Sequence, residues 1–256
     1  MIPVPTLLAI HPLFDLAGWA AGAAAGLAIY RWRLRAAPRS TAGNLDDGYF
    51  AALAAGAVGG GFLAGSLNTL QGPAPAISHS VAGALAGAII GVEVYKLCRG
   101  VRGSTGGVFV GSLATGIVVG RWGCLFAGLG DRTYGVATAL PWGVDLGDGV
   151  ARHPVQVYES LAMVLFLAAY LEGLRRRAPW AMRRGFYVMV AWYGLQRFAW
   201  EFLKPYPRLV GPLNLFHLIC LGLMAYGLVW FLRDRRFEAY AQERALSVPG
   251  PDHQPV

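Results

Sequence analysis

The chain has 256 residues, of which 55% belong to the hydrophobic set AVILMFWYC and only 14% are charged. An average globular protein carries about 25% charged residues, so this composition excludes a soluble fold and a charge-rich disordered chain. The 35 glycines follow no three-residue period, which excludes a collagen-like chain. The sequence therefore predicts an all-α polytopic membrane protein.

Seven apolar stretches are each long enough to cross a hydrocarbon core of about 30 Å. The predicted spans are residues 13–30, 49–67, 80–97, 106–126, 155–174, 185–203 and 213–232. Several contain runs of small residues, such as AALAAGAVGGG, that permit close helix packing. We predict a single seven-helix domain over residues 1–244 and a disordered, proline-rich tail over residues 245–256.

The net charge of +8 comes largely from basic clusters that follow the first, third, fifth and seventh spans. They lie at residues 31–39, 96–102, 175–184 and 233–244. Basic residues concentrate on the cytoplasmic side of membrane proteins, so this pattern predicts an outside N-terminus and a cytoplasmic C-terminus. It also accounts for the charge without nucleic acid as a partner. The first residues, MIPVPTLLAI, lack a basic stretch, so we expect no cleaved signal peptide.

Cysteine usage gives no sign of a disulfide framework. Cys98, Cys124 and Cys220 are far apart, and each lies in apolar sequence with no CxxC pattern. We therefore expect neither a metal site nor a cofactor.

Residues 128–153, GLGDRTYGVATALPWGVDLGDGVARH, form a loop between the fourth and fifth spans on the predicted outer side. Its glycine, aspartate and proline residues predict short strands and tight turns. Tyr134, Trp142 and Val144 indicate an ordered segment at the membrane interface. Loops of this length in compact bundles are usually functional or disordered, so an ordered loop here indicates a functional segment.

Ionisable residues within apolar sequence are functional candidates because charge is costly inside a membrane. Several have plain structural alternatives. Glu93 lies three residues before Lys96, Asp15 lies where it can cap or snorkel, and His217 is typical of a bundle histidine. The candidates are Asp15, His79, Glu93, Arg121, His153, Glu159, Arg197, Glu201 and His217.

Two arginines have surroundings that favour an anion site. Arg121 lies in VVGRWGCLF, where Gly120 and Gly123 leave space, and a guanidinium in a dry cavity favours a bidentate anion. Arg197 lies four residues before Glu201 on one helix face, which fits a functional or a purely structural pair equally well. The abundant anion at this depth is a phospholipid phosphate. Arg121 and Arg197 on different helices would clamp this phosphate. The clamp would support displacement at a phosphoester, with a histidine or carboxylate as base.

Sequence blocks in a fixed order resemble the prolipoprotein diacylglyceryl transferase family. GRWGCLFAGLGDRTYG resembles its GRxGNFxNGE signature, LPWGVDL and RHPVQVYE resemble its PWG and RHPxQLYE blocks, and LQRFAWEFLK resembles its RFxxEFxR block. The resemblance covers about residues 78–227 and agrees with seven spans. The matching residues are Gly120, Arg121, Gly123, Pro141, Trp142, Gly143, Arg152, His153, Pro154, Gln156, Tyr158, Glu159, Arg197, Phe198, Glu201 and Phe202.

The resemblance implies an enzyme of the bacterial cytoplasmic (inner) membrane that binds phosphatidylglycerol between its helices. It implies transfer of the diacylglyceryl group to the thiol of a lipobox cysteine in a prolipoprotein, with glycerol phosphate leaving. Arg121 would grip the headgroup, Arg197 would add to the clamp, and Glu201 would orient it. The implied catalytic residues are Arg121, Arg197, Glu201, His79 and His153. The implied substrate-binding residues are Arg121, Arg197, Arg152, Tyr158, Glu159 and Gln156.

The chain departs from the family pattern at informative positions. Ala82 stands at the histidine of the family's HGGLIG motif, and His79 lies about one turn earlier. Cys124 replaces the signature asparagine, and Asp131 is the acid nearest to the altered NGE motif. Lys204 replaces the last arginine of the RFxxEFxR block. These departures leave open a different acceptor, or a non-catalytic phospholipid-binding or lipid-handling protein. A transporter is disfavoured because the halves show no repeat.

Overall fold

The computed structural model describes residues 1–35, 45–71, 75–101 and 103–247, with side chains described as far as Arg233. Residues 248–256 of the predicted tail lie outside the described residues, as do Arg39 and Arg102 of the predicted basic clusters.

Seven long helices within the described residues confirm the predicted all-α architecture. The helices are α1 (His11–Ile29), α2 (Asp47–Leu70), α3 (Val81–Arg99), α4 (Val110–Ala127), α5 (Val155–Arg175), α6 (Pro179–Glu201) and α7 (Leu215–Ser247). Each overlaps one predicted span, although α6 begins six residues earlier than predicted and α7 extends to Ser247, past the predicted boundary at residue 244.

Six of the seven helices found in the described part of the chain are long and apolar enough to cross a membrane. The exception is α6, which carries Arg183, Arg184, Arg197 and Glu201. The chain is therefore a multi-pass membrane protein, and one of its helices is marked by charge rather than by apolar composition.

Local sequence explains where α2 and α3 begin and end. The Asp46 carboxylate accepts a hydrogen bond from the backbone N–H of Tyr49 at 2.8 Å, and Ser80 caps α3 in the same way through Gly83. A hydrogen bond from the Tyr95 hydroxyl, with further contributions from Tyr49 and Arg99, lowers the pKa of Asp46 to about 2. Gly100, which has a φ of 65°, ends α3 in the left-handed conformation that glycine adopts readily.

The helices pack in close pairs, α1 with α4, α2 with α3, and α6 with α7. Glycine allows the backbones of α2 and α3 to meet. A Cβ atom placed on Gly60 would lie 2.5 Å from the carbonyl oxygen of Gly83 and 2.7 Å from the Cα of Gly87. At the α1–α4 contact, a Cβ on Gly22 would lie 2.7 Å from the carbonyl oxygen of Ser112. Small residues thus set these two interhelical distances.

A small sheet covers one end of the bundle. Strand β1 (Ile2–Pro3) pairs in parallel with β2 (Val144–Asp145), and β2 pairs antiparallel with β3 (Ala151–Arg152). The Asp145 carboxylate accepts hydrogen bonds from the backbone N–H groups of Gly147, Asp148 and Gly149 at 2.9–3.1 Å. These hydrogen bonds lower the pKa of Asp145, and the bond from Gly147 has the largest effect. The predicted strands and tight turns of residues 128–153 are confirmed, whereas β1 was not predicted.

Candidate functional site

Glu159 of α5 is the centre of a buried ion cluster. Its Oε2 atom lies 2.7 Å from Nε of Arg121 on α4. Its Oε1 atom lies 2.5 Å from Nη1 of Arg197 on α6 and 2.6 Å from Nζ of Lys204. One carboxylate therefore joins two helices and the segment that follows α6.

Glu201 supplies a second carboxylate to the same cluster. Its Oε1 atom lies 2.7 Å from Nε of Arg197 and 3.4 Å from Nζ of Lys204. Asn214 donates to the Oε2 atom at 3.2 Å, and Asn214 in turn accepts a hydrogen bond from the backbone N–H of His217 at 3.0 Å. The predicted pairing of Arg197 with Glu201 on one helix face is confirmed, and α7 joins the cluster through Asn214.

The cluster contains one more basic side chain than acidic side chains. Arg121, Arg197 and Lys204 contribute three positive charges, and Glu159 and Glu201 contribute two negative ones. The five side chains are 0–5% exposed. Removing one charged partner from such a buried site would leave the others without compensation. One positive charge among these five side chains remains to attract an anion.

A cavity of about 530 Å³ reaches this cluster. Arg121 and Arg197 lie in its wall, together with Tyr206 and Phe216. Burial raises the pKa of the Tyr206 hydroxyl, so this group remains a neutral hydrogen-bond donor. Other parts of the wall are glycine and apolar side chains of α1 and α4, including Gly18. A ligand with an anionic group and an apolar body fits such a lining.

A second cavity of about 290 Å³ lies beside the first and is lined mostly by apolar and aromatic side chains. Ser112, Leu113 and Ile117 of α4 line both cavities. The two cavities therefore share a wall. Arg121 and Arg197 of the ion cluster line the larger cavity, and the smaller cavity beside it is mostly apolar.

His79 lies in the wall of the larger cavity, directly before α3. Its ring centroid is 6.3 Å from that of His11 and 6.2 Å from that of Phe62. Ala82, by contrast, is fully buried within α3 and lines neither of the two cavities. His79 is thus placed where a histidine can reach a ligand of the cavity.

The remaining predicted site residues form a separate group near the sheet. His153 Nδ1 lies 3.4 Å from the Tyr158 hydroxyl, which accepts a hydrogen bond from Nε1 of Trp142 at 2.8 Å. Arg152 pairs with Asp148 at 2.8 Å. Arg152, His153 and Tyr158 do not line either of the two cavities.

Gln156 contacts a residue in the wall of the larger cavity. Its side-chain nitrogen lies 3.4 Å from the Thr133 hydroxyl, and Thr133 lines that cavity. The structure thus brings together Arg121, Glu159, Arg197 and Glu201, and leaves Arg152, His153 and Tyr158 apart.

The sequence did not single out His11, which lies at the start of α1 outside the predicted span. Its Nδ1 atom is 3.0 Å from the carboxylate of Asp15, and its Nε2 atom is 3.2 Å from Asp131 and 3.4 Å from Sγ of Cys124. Asp15 therefore pairs with a histidine and lines the cavity, contrary to the simple capping or snorkelling role. The regular four-residue spacing of His11 and Asp15 on one helix face could have indicated this pair.

Two other ionisable candidates have structural partners. Nζ of Lys96 lies 2.8 Å from Glu93, as predicted, and the Tyr226 hydroxyl of α7 donates to the same carboxylate at 2.8 Å. The Nδ1 atom of His217 accepts from the backbone N–H of Asn214 at 3.1 Å, and its ring packs against Phe202. Both fit the structural alternatives given above.

Helices packed around a buried ion cluster and two adjoining cavities define a multi-pass membrane protein with a polar centre inside its helical bundle. The family model described as prolipoprotein diacylglyceryl transferase matches residues 16–233. The chain belongs to this family.

Individual relatives agree with the family match. A protein of Solidesulfovibrio magneticus is 38% identical over 131 residues, which cover 47% of each chain. Another, of Geobacter sulfurreducens, is 35% identical over 121 residues and 44% of each chain. A third, of Bacillus cytotoxicus, is 29% identical over 194 residues, or 70% of this chain and 67% of the relative. All three are named phosphatidylglycerol–prolipoprotein diacylglyceryl transferase.

The chain aligns with about half the length of the first of these relatives. No solved structure matches it significantly.

Proposed function

We propose that this chain transfers the diacylglyceryl group of phosphatidylglycerol to the thiol of a lipobox cysteine in a prolipoprotein, at the bacterial cytoplasmic membrane. The observation that carries the proposal is the buried cluster of three cations and two carboxylates, of which Arg121 and Arg197 lie in the wall of the larger cavity. Family membership and the names of the relatives support the same activity.

The headgroup phosphate would bind at Arg121 and Arg197, whose guanidinium groups lie in the cavity wall on different helices. Glu159 and Glu201 hold these two groups in place through contacts of 2.5–2.7 Å. Because both arginines are fixed before the lipid arrives, little reorganisation is needed as negative charge builds up on the leaving phosphate. Tyr206 would donate a further hydrogen bond to that phosphate.

The acyl chains would occupy the apolar cavity that shares Ser112, Leu113 and Ile117 with the larger one. This arrangement supports a ligand that has one anionic group and long apolar chains rather than a small soluble metabolite. Lipid character also fits a bundle whose helices are apolar enough to cross a membrane.

The acceptor thiol would enter from the side of residues 128–153. His79 is the proposed base because it lies in the cavity wall, while His153, Arg152 and Tyr158 would position the acceptor segment outside the two cavities. Sulfur would then attack the glycerol carbon next to the phosphate, a C–S bond would form, and the C–O bond to phosphate would break. Glycerol phosphate would leave with the electron pair of that bond.

The test is a transfer assay with the purified full chain in micelles that contain phosphatidylglycerol and a lipobox peptide. Mass spectrometry would detect the diacylglyceryl adduct on the peptide cysteine. We expect the adduct with the unaltered chain and about a 10²-fold or greater loss of rate in Arg121→Ala, because a fixed group that stabilises developing charge is removed. Arg183→Ala, which changes an exposed arginine of α6, is the matched control and should keep the rate.

Two outcomes would overturn the proposal. A normal rate in a folded Arg121→Ala protein would remove the headgroup clamp. No adduct from the unaltered chain, in an assay where a related enzyme is active and phosphatidylglycerol co-purifies with this chain, would favour a lipid-binding protein without covalent chemistry.

A further inference from the structure

A cluster of three different metal-ligating side chains lies at one end of the larger cavity. The residues are His11 at the start of α1, Cys124 in the last turn of α4, and Asp131 in the short helix that follows α4. One ligand atom from each lies within 4.8 Å of the other two. Imidazole nitrogen, thiolate sulfur and carboxylate oxygen are the ligand types that zinc takes in proteins.

The distances at His11 match a shared ion. In a tetrahedral zinc site, bonds of about 2.0–2.3 Å place ligand atoms about 3.3–3.7 Å apart. The Nε2 atom of His11 lies 3.4 Å from Sγ of Cys124 and 3.2 Å from the carboxylate of Asp131. All three side chains are buried or nearly so, with His11 and Asp131 13–14% exposed.

The hydrogen bonds around these residues resemble the outer shell of a metal site. Nδ1 of His11 lies 3.0 Å from the carboxylate of Asp15, which would hold the proton on Nδ1 and leave the lone pair of Nε2 toward Cys124 and Asp131. The Thr133 hydroxyl donates to the other oxygen of Asp131 at 2.5 Å. In that tautomer, Nε2 of His11 and the Asp131 oxygen are both hydrogen-bond acceptors, with no proton between them. A cation bound to both atoms would account for their close contact.

Helix packing fixes these residues before any ligand binds. α1 and α4 meet through glycine, as at Gly22 against Ser112, so His11 and Cys124 are carried by one tightly packed helix pair. A Cβ atom on Gly123 would lie 2.6 Å from the Cβ of Phe14, which shows that the two helices remain close beside the cluster. Ligands on rigid elements bind a metal with little loss of conformational freedom.

We propose that His11, Cys124 and Asp131 bind a zinc ion whose fourth position faces the cavity and takes the acceptor thiol. This role for the ion rests on the proposed function. Three protein ligands with one open position are typical of catalytic zinc sites, and a thiol bound to zinc is deprotonated. The site supplies thiolate in a chain that has Ala82 at the position of the family's motif histidine.

The step balances without another reactant. The acceptor thiol gives up its proton to His79, the proposed base, on binding zinc, and its sulfur forms a C–S bond with the glycerol carbon. The C–O bond to phosphate breaks, and its electron pair leaves with glycerol phosphate. Zinc neither gains nor loses an electron.

The first measurement is metal binding by the full chain in detergent micelles, purified without a polyhistidine tag. Elemental analysis should find about one zinc per chain. After zinc removal, Co²⁺ added alone should give the intense visible bands of tetrahedral cobalt and a near-ultraviolet thiolate band. Cys124→Ser should abolish the thiolate band, and His11→Gln and Asp131→Asn should each weaken zinc binding by about 100-fold or more.

Two cysteine variants are controls, because Cys98 is exposed and Cys220 is buried elsewhere in the bundle. Cys98→Ser and Cys220→Ser should keep the thiolate band. Asp15→Asn keeps all three ligands and should weaken zinc binding by about 10- to 100-fold. This variant also provides a test if Cys124→Ser does not fold.

Substoichiometric zinc in the unaltered chain after incubation with the ion, or an unchanged thiolate band in Cys124→Ser, overturns the metal site. His11 would then be a structural residue held between Asp15 and Asp131 by the contacts at 3.0 and 3.2 Å. The transfer assay separates this inference from the proposed function. Full transfer by protein shown to be free of zinc overturns the role of the ion and leaves the activity. Bound zinc without transfer under any condition overturns the activity and leaves the metal site.

Discussion

The α2–α3 interface and the α4–α5–α6 centre solve the problem of helix association in opposite ways. At the first, Gly60, Gly83 and Gly87 let two backbones meet, and the contact is made by main-chain atoms. At the second, Arg121, Glu159 and Arg197 join three helices through charged side chains at 2.5–2.7 Å. The first region joins two helices that are apolar enough to cross a membrane, whereas the second includes α6, the charged exception.

These two kinds of helix contact have different energetic costs. A glycine interface brings helices together through shape alone, and lipid gives little drive of its own for helices to associate. A buried ion cluster costs desolvation, and apolar residues of similar size often stabilise a protein as well or better. Stability alone therefore does not explain five charged side chains at one buried point, whereas the small residues of α2 and α3 indicate only close approach.

The largest effect should come from breaking the ion cluster at its centre. Glu159→Gln removes one of two carboxylates that face three cations, so we expect a loss of about 3–5 kcal/mol in the free energy of unfolding together with loss of transfer. The midpoint of unfolding in detergent micelles measures the first effect.

Glu172→Gln is the matched control on the same helix. Glu172 pairs with Arg175 at 2.6 Å and Arg176 at 2.5 Å, but these side chains are 41–70% exposed. Its unfolding midpoint should stay close to that of the unaltered chain. Equal shifts in the two variants would show that burial does not distinguish the cluster from a surface pair.

An intermediate effect should come from widening the glycine interface. Gly60→Ala places a Cβ atom against the backbone of α3, so we expect a loss of about 1–3 kcal/mol from overpacking. Gly59→Ala is the control on the neighbouring position, where a Cβ atom meets nothing within 4 Å. That change should be neutral or stabilise α2 by up to about 1 kcal/mol.

The same unfolding midpoint, measured side by side, tests this pair. If Gly59→Ala and Gly60→Ala behave alike, backbone contact does not set the distance between α2 and α3. The rate of transfer in Gly60→Ala would show whether the distance between α2 and α3 affects activity, because Gly60 itself lines neither of the two cavities.

The smallest effect should come from the hydrogen bond that joins α7 to α3. Tyr226→Phe removes the donor at 2.8 Å from Glu93, while Lys96 keeps its contact with the same carboxylate. We expect a loss of about 1 kcal/mol in the free energy of unfolding. A loss as large as that in Glu159→Gln would place a second electrostatic centre at this end of the bundle.

The helices could be predicted from sequence because hydropathy reports directly on membrane spans. α6 was found by the same pattern although it carries Arg183, Arg184, Arg197 and Glu201, and its start was the least accurate because those charges interrupt the apolar run. β1 was missed because two residues carry no periodicity, and its partner β2 lies more than 140 positions away.

The candidate site was predicted in part for a similar reason. Arg121, Arg197 and Glu201 stand out because they are charges in apolar sequence, and the four-residue spacing of the last two reveals their contact. The position of Glu159 between both arginines depends on how three helices pack, which spacing within one helix does not report. His11 escaped attention because it lies before the first apolar run.

The strand pairing at Ile2–Pro3 has a consequence for biogenesis. β1 is synthesised before its partner β2, and α1, α2, α3 and α4 lie between them in the chain. Ile2 and Pro3 therefore have no β2 partner while α1, α2, α3 and α4 are being made. The β1–β2 pair therefore closes only after α4 has been made, and it ties the segment before α1 to the loop after α4.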